Sequence, residues 1–337
     1  MILENEVNNF MKKIVIAVLA GVMLLSGLVY FKITHPSISK KVENLQENMT
    51  SYHLEAVMKM LDGEDLRNFN VKVSYLKDGE QDFFCVDLED QASYQKQRII
   101  RNQDGVFVIA PSLNRAFQFK SEWPFNSFKP YVMQTIMRVF DEEYESNSID
   151  NGYQIQAPLT YPSDPRVTHL EVIFDDDINL KNVTLYDDNE VEIVMLDVAK
   201  FEWNGQIDKN LFTVQADSSA TTSAMSDLPF YPLEMLGSEL VDQTKADING
   251  NEKHILRFSG QEHFTIVENT LERSDGFVIE KMEGEILEVA GSVAVIDEHV
   301  VSLLEGDALC QIFSDELNEE EKLQVISSMR NSVVIEE

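Results

Sequence analysis

The side chains in this 337-residue chain that could carry chemistry are six histidines, two cysteines and a large excess of carboxylates. A metal site would need ligands at fixed spacing, such as two histidines four apart on one helix face. His35, His53, His169, His254, His263 and His299 include no such pair, and no HExxH occurs. Asp175-Asp176-Asp177 with Asn179 suggests a calcium loop, which needs Gly at its sixth position and Glu at its twelfth. Those positions hold Leu180 and Tyr186. The run through Asp247, Asn249 and Asn251 fails in the same way, with Glu252 at the glycine position, and both segments read as turns between strands. Nucleophile elbows, Walker loops and GxGxxG fingerprints are absent. Cys85 and Cys310 lie far apart, with no CxxC and no zinc set beside them. They read as buried free thiols, with a disulfide between two domains as the alternative in an oxidising compartment. Among 59 acidic residues some pair will be close in space, yet no spacing recommends a glycosidase-like acid pair. No catalytic, cofactor-binding or metal-binding residue is expected.

Apolar binding is the chemistry that remains. Trp123, Phe125, Phe128, Tyr131 and Phe140 cluster in the sequence, just after Phe117 and Phe119. Large aromatics supply contact area at low entropy cost, so these residues read either as the rim and lid of an apolar cavity or as ordinary core between helix and sheet. The formal net charge is −32. Five of the 27 basic residues but only Glu4 and Glu6 of the 59 acidic ones lie in residues 1–41, so the remainder stands at −35. A body this acidic repels phosphate backbones, which argues against nucleic acid as a partner. Its excess charge either attracts a basic partner or cations, or simply keeps the surface solvated.

The elements that must position these residues begin with an apolar run. Residues 14–31, IVIAVLAGVMLLSGLVYF, are eighteen positions without charge, preceded by Lys12 and Lys13 and followed by Lys32. At about 1.5 Å per residue such a helix just crosses the hydrocarbon core. Local lysine counts do not settle orientation, but the layout is that of a signal anchor: a short cytoplasmic tail at 1–13, a bilayer span at 14–31 and an ectodomain outside. A cleaved signal peptide is the competing reading, without an A-x-A site to support it. Met11-Lys12-Lys13 is a typical export-signal start, so Met1 and Met11 are alternative first residues.

Beyond the span, Ile38, Val42, Leu45 and Met49 form one stripe of a helix of about three turns. From Tyr52 the period becomes two: Leu54, Ala56, Met58 and Met60, then Phe69, Val71, Val73 and Tyr75, alternate with polar residues. That is the pattern of antiparallel strands with one buried face. Asp62-Gly63, Asp78-Gly79 and Asp104-Gly105 mark turns. Further strands are expected at 83–88, 94–101, 106–110 and 116–120, a helix from Pro130 through Phe140, and strands at 153–155, 167–174, 183–186 and 191–201. Residues 215–227, QADSSATTSAMSD, read as a linker. After it, strands are expected at 254–259, 263–268, 277–281 and 292–297. A closing helix is expected from Asn318 to Met329, where Asn318 and Glu321 have capping-box spacing and Leu323, Ile326 and Met329 form the buried side.

Specific residues carry a family resemblance. Asp104-Gly105, then APSLNRAFQF at 110–119 and SEWPFN at 121–126, resembles the LolA-like proteins of spore-forming Gram-positive bacteria. These are sporulation and germination lipoproteins related to the lipoprotein carrier LolA. Residues 201–212, with Asn204, Ile207, Asp208 and Phe212, are similar to the end of the LolA domain. FSDELNEEEKLQVISSM at 313–329 resembles the terminal helix of a small domain that often follows. The resemblance spans roughly residues 37–330. It implies a half-open β-barrel closed by helices, whose apolar cavity holds acyl chains in the carrier relatives. Two departures stand out: the lipidated cysteine of many members is missing, and a tethered chain cannot shuttle across a wide gap.

The expected fold class is therefore mainly β (α+β). It comprises a LolA/LolB-like half-open antiparallel β-barrel with covering helices at 37–214, a linker at 215–227, a smaller α+β domain at 228–330 and a transmembrane helix at 14–31. The expected function is that of a single-pass cell-membrane protein, non-catalytic and without cofactor, which engages an envelope protein partner in sporulation or germination. Alternatives are an acyl-chain binder and an envelope-stress sensor. Solid packing of Met58, Met60, Phe69, Val71, Phe117 and Phe119 would leave a lipid no room.

Overall fold

The computed structural model describes residues 38–62, 65–119, 132–140, 143–160, 164, 166–216, 226–248, 250–289, 292–297 and 299–331. The expected span at 14–31 lies outside the described residues, as do Trp123, Phe125, Phe128 and Tyr131. Among the described residues no helix is long and apolar enough to cross a membrane. The chain divides into two compact units, Met1–Asn48 and Met49–Glu337. In the first, α1 (Ile38–Asn48) follows the expected stripe, with Ile38 and Val42 buried.

The second unit is built around two sheets. Alternating residues first form a meander of β1 (Ser51–Asp62), β2 (Asp65–Asp78), β3 (Gln81–Asp90), β4 (Lys96–Asn102), β5 (Gly105–Ala110) and β6 (Arg115–Phe119). Along β1 and β2, Tyr52 faces Tyr75, Leu54 faces Val73, Ala56 faces Val71 and Met58 faces Phe69. Period two thus places every one of these side chains on one buried face. At the β4–β5 turn Gly105 has φ +125°, and a Cβ there would lie 2.8 Å from the Phe119 carbonyl oxygen, so the turn needs glycine. α2 (Val132–Val139) comes next, with Val132, Met133, Ile136 and Val139 buried. Phe140 stands in the turn after it rather than on the helix. The sheet resumes with β7 (Glu145–Ile149), β8 (Gly152–Pro158), β9 (His169–Asp175), β10 (Leu180–Tyr186) and β11 (Glu192–Trp203). β11 then pairs with β1.

Chain from residue 226 onward builds β12 (Phe230–Pro232), β13 (Ser238–Ile248), β14 (Asn251–Gly260), β15 (Phe264–Thr270), β16 (Val278–Met282), β17 (Glu285–Val289), β18 (Ser292–Asp297), β19 (Val300–Glu305), β20 (Ala308–Phe313), α3 (Glu319–Ser327) and β21 (Met329–Asn331). The second sheet runs β13-β14-β15-β20-β19-β18-β17, while β12 and β21 form a separate pair. β16 departs from this group. It pairs in parallel with β6, giving a twelve-stranded sheet of order β16-β6-β5-β4-β3-β2-β1-β11-β10-β9-β8-β7. The strand expected near 277–281 therefore forms, but in the first sheet.

The capping box at Asn318 is complete: its side chain accepts from Glu321 N at 3.0 Å, and its own N–H donates to the Glu321 carboxylate at 2.9 Å. α3 stops at Ser327, so Val325 and Ile326 form its buried side and Met329 is buried from β21 instead. Cys85 and Cys310 are both free and buried, each in a different core cluster.

Candidate functional site

The APSLNRAFQF stretch folds into a 3-10 turn at Pro111–Leu113, a left-handed Asn114 at φ 55° and the strand β6. This turn receives the chain arriving from β15. The Arg273 guanidinium donates to the Pro111 and Ser112 carbonyls at 2.9 and 2.7 Å. Ser274 N donates to Leu113 O at 3.0 Å, and Asn114 Nδ2 donates to Ser274 O at 3.1 Å. Val278 N then donates to Asn114 O, which sets the register of β16 against β6. An Arg115–Glu280 ion pair closes the seam.

Phe117 and Phe119 on β6 point into this seam, 5% and 2% exposed. With Val108, Met282, Val293, Val295, Leu304 and Leu309 they enclose an apolar cavity of about 90 Å³. Pockets that hold small molecules span roughly 300–1,000 Å³, so this one is too small for an acyl chain. The other inner-face residues are packed as well: Met58, Met60, Phe69 and Val71 are all buried. Phe140 belongs elsewhere. Its ring centroid lies 5.0 Å from Tyr144 and 6.5 Å from Phe174 on β9, with β5, β4, β3, β2, β1, β11 and β10 between that strand and β6. The expected aromatic cluster is thus divided among the described residues, and its other four members lie outside them.

A larger opening sits on the opposite face of the same strands. Cys85, Ile100, Phe107, Ile109 and Ala116 form an apolar outer face, and Phe212 packs on it. Asp208 caps the 3-10 turn Lys209–Phe212 by accepting from Asn210 N, and Asn102 Nδ2 donates to Phe212 O at 3.0 Å. Beside Phe212 lies a groove of about 400 Å³, with Leu76, Phe83, Phe107, Val214 and Ile279 in its walls and Asp78, Asp104 and Lys209 among its polar residues. Sequence reasoning did not single out this groove. The usable signal was the unbroken apolar run FFCV of β3 and VFVIA of β5, since strands covered on both faces lose their alternation.

The second sheet holds the most perturbed acid. Glu268 on β15 is fully buried, between His254 on β14 and Cys310 on β20 in the strand register. Its carboxyl accepts from Phe230 N at 3.1 Å and lies 3.9 Å from the Cys310 sulfur. Burial pushes its pKa up to about 8, outweighing the Phe230 hydrogen bond. Burial likewise raises the Cys85 thiol to about 12, and burial beside Glu268 raises Cys310 well above its ordinary value. A cysteine acts as nucleophile or ligand through its thiolate, so neither is poised for either role at neutral pH. Among the described residues no group of histidine, cysteine and carboxylate side chains could hold a metal ion.

No family model matches the sequence. The sporulation protein YdcC of Bacillus subtilis (strain 168) is 25% identical over 330 residues, covering 92% of this chain and 96% of that protein. The chain is thus similar along nearly its whole length to a sporulation protein. Solved structures give looser likenesses. The Pseudomonas aeruginosa MucA/MucB complex has 12% identity and TM-score 0.33, over 87% of this chain and 98% of the matched one. The CwlD amidase of Clostridioides difficile in complex with the GerS lipoprotein has 13% identity and TM-score 0.30, over 50% and 94%. A putative outer membrane lipoprotein-sorting protein domain from Vibrio parahaemolyticus has 8% identity and TM-score 0.25, over 52% and 95%. At those scores the likenesses carry no argument.

The described residues that carry the resemblance read from the sequence are structural. Asn204, at φ 50°, accepts through its side chain from Thr50 N at 2.8 Å and so ties the end of β11 to the start of β1. Phe212 covers the outer face, and residues 110–119 receive β16. The short apolar-polar string that reads as a family signature is the part of the sheet onto which the C-terminal half locks.

Proposed function

We propose that this chain is an extracytoplasmic, non-catalytic binding module of sporulation that engages an envelope protein partner. In this reading residues 14–31 anchor it as a single-pass membrane protein, residues 37–214 form the LolA-like domain, and 215–227 link that domain to the smaller one at 228–330. Trp123, Phe125, Phe128, Tyr131 and Phe140 then serve as contact aromatics rather than as the mouth of a lipid cavity.

The observation that supports a protein partner over a lipid is the packed inner face of the first sheet, where the cavity at Phe117 and Phe119 measures about 90 Å³. One feature favours a second reading, an acyl-chain binder: the outer groove of about 400 Å³ falls within the range of small-molecule sites. Native mass spectrometry of the full chain, extracted from the envelope of a Gram-positive host, separates the two. A bare protein mass, with one envelope protein recovered by cross-linking, is the expected result. Extra mass that solvent extraction identifies as lipid would establish the second reading instead.

A further inference from the structure

We propose that the free edge of β16, with the groove beside it, is the docking site for an extended segment of a protein partner that alternates apolar and basic residues. The inference rests on the partner reading above and specifies where and by what chemistry the partner binds.

The backbone makes the first part of the case. β16 is the terminal strand of the twelve-stranded sheet, and among the described residues nothing pairs with its outer edge. Val278 N donates to Asn114 O on the inner side. Backbone direction alternates along a strand, so Ile279 and Lys281 turn their N–H and C=O groups outward. Such a row is a template for another strand, and proteins that do not use one usually shorten, charge or cover it. This edge is short and carries Glu280, paired with Arg115, and Lys281, yet it also exposes apolar side chains: Val278 is 38% and Ile279 47% exposed.

The side chains define the occupant. Ile279 also lines the groove of about 400 Å³, alongside Phe107 and Phe212. A strand added at β16 would direct every second side chain to that face, where apolar residues have somewhere to go. Charge selects the remaining positions. Asp78 and Asp104 line the groove, and Asp275 and Glu283 flank β16 in the chain. Lys209 and Asp78 form an ion pair at 2.5 Å and offset one another, so the attraction falls to Asp104 and Asp275. A second copy of this chain would bring its own formal −32 against these acids, whereas a basic segment is drawn to them.

The test uses the full chain in nanodiscs of neutral phospholipid, with empty nanodiscs as control. Fluorescence anisotropy follows a labelled, end-blocked ten-residue peptide of alternating valine and lysine, and its valine–glutamate counterpart. The Val/Lys peptide is expected to bind saturably and at least tenfold more tightly than the Val/Glu peptide. Lys281→Pro removes one outward N–H while leaving the β6 ladder intact, and is expected to weaken binding at least tenfold. Ile279→Ser, which keeps the backbone, is expected to weaken it severalfold and reads the groove even where the proline variant loses its fold. Absence of binding, equal affinity for the two peptides, or unchanged affinity in both variants would overturn the proposal. So would a concentration-dependent dimer that Lys281→Pro abolishes, since the edge would then belong to a second copy. A cross-linked envelope partner retained by both variants would overturn this docking site and leave the partner reading standing. A lipid-loaded chain would instead overturn the partner reading itself.

Discussion

At the seam, Arg273 reaches two backbone carbonyls and Asn114 reaches a third, all from a turn partly open to water. In the second sheet the corresponding task falls to buried acids. Asp307 accepts from Ser226 N at 3.0 Å and from its hydroxyl, and Glu268 accepts from Phe230 N four residues later. Both arrangements pin a chain segment that links the two sheets, but they respond to solution conditions differently. A guanidinium bonded to carbonyls keeps its charge at any ordinary pH. A carboxyl with no exposure is best accommodated while neutral, because ionisation there costs desolvation that the hydrogen bond from Phe230 N does not offset. The carbonyl contacts of Arg273 thus carry no pH dependence of their own, whereas the folded state around Glu268 is tied to a proton.

The largest expected effect would break that comparison or establish it. Glu268 has a folded-state pKa of about 8 against an ordinary 4.5. A raised carboxyl contributes its full stability below the lower value and loses it as pH climbs through the higher one, by up to about 5 kcal/mol. Thermal melts from pH 5 to pH 9 should show this decline in the native chain, whereas Glu268→Gln, neutral throughout, should show a flatter profile. Parallel curves would mean that Glu268 is not tied to a proton. Next in size is Phe119→Ala at the seam, where the ring is buried beside the small cavity; it should cost about 3–4 kcal/mol in denaturant midpoint analysis and enlarge that cavity. Arg273→Ala should cost about 1–2 kcal/mol, equally at pH 5 and pH 9. Its sharper readout is hydrogen exchange, which should quicken at β16 amides before those of β15. The smallest expected effect is Asn318→Ala, about 1 kcal/mol from the lost cap of α3, with exchange rising only in that helix.

Much of the fold is legible from the sequence because its cause is local. Period-two burial in β1 and β2, the glycine demanded at position 105 and the Asn318–Glu321 box each follow from a few adjacent residues. β7 and β13 do not announce themselves. ESNSI is exposed along its whole length, and SELVDQTKADI is exposed on both faces for most of its own, so neither shows the alternation that burial imposes. The aromatic site is only partly legible: Phe117 and Phe119 meet the second sheet, and Phe140 meets β9.

By itself, then, the sequence determined most strands of the first sheet, the helix stripe at α1, the capping box of α3, the marked turns and the acidic balance; it did not mark β7, β13, β17, β19 or β20, and it left the two cysteines open between free thiols and a disulfide. Tertiary structure alone decided three things. VIEKM is an ordinary short strand that could extend either sheet; contacts between Asn114 and Ser274, 160 positions apart, commit it to β6 and leave its other edge open. The outer groove exists because Phe212 returns to cover β3 and β5 from more than a hundred residues away. Glu268 acquires its raised pKa only through burial in the second sheet, which outweighs the hydrogen bonds from Phe230 and Cys310. In each case the deciding energy comes from groups distant in sequence, whose meeting no local pattern encodes.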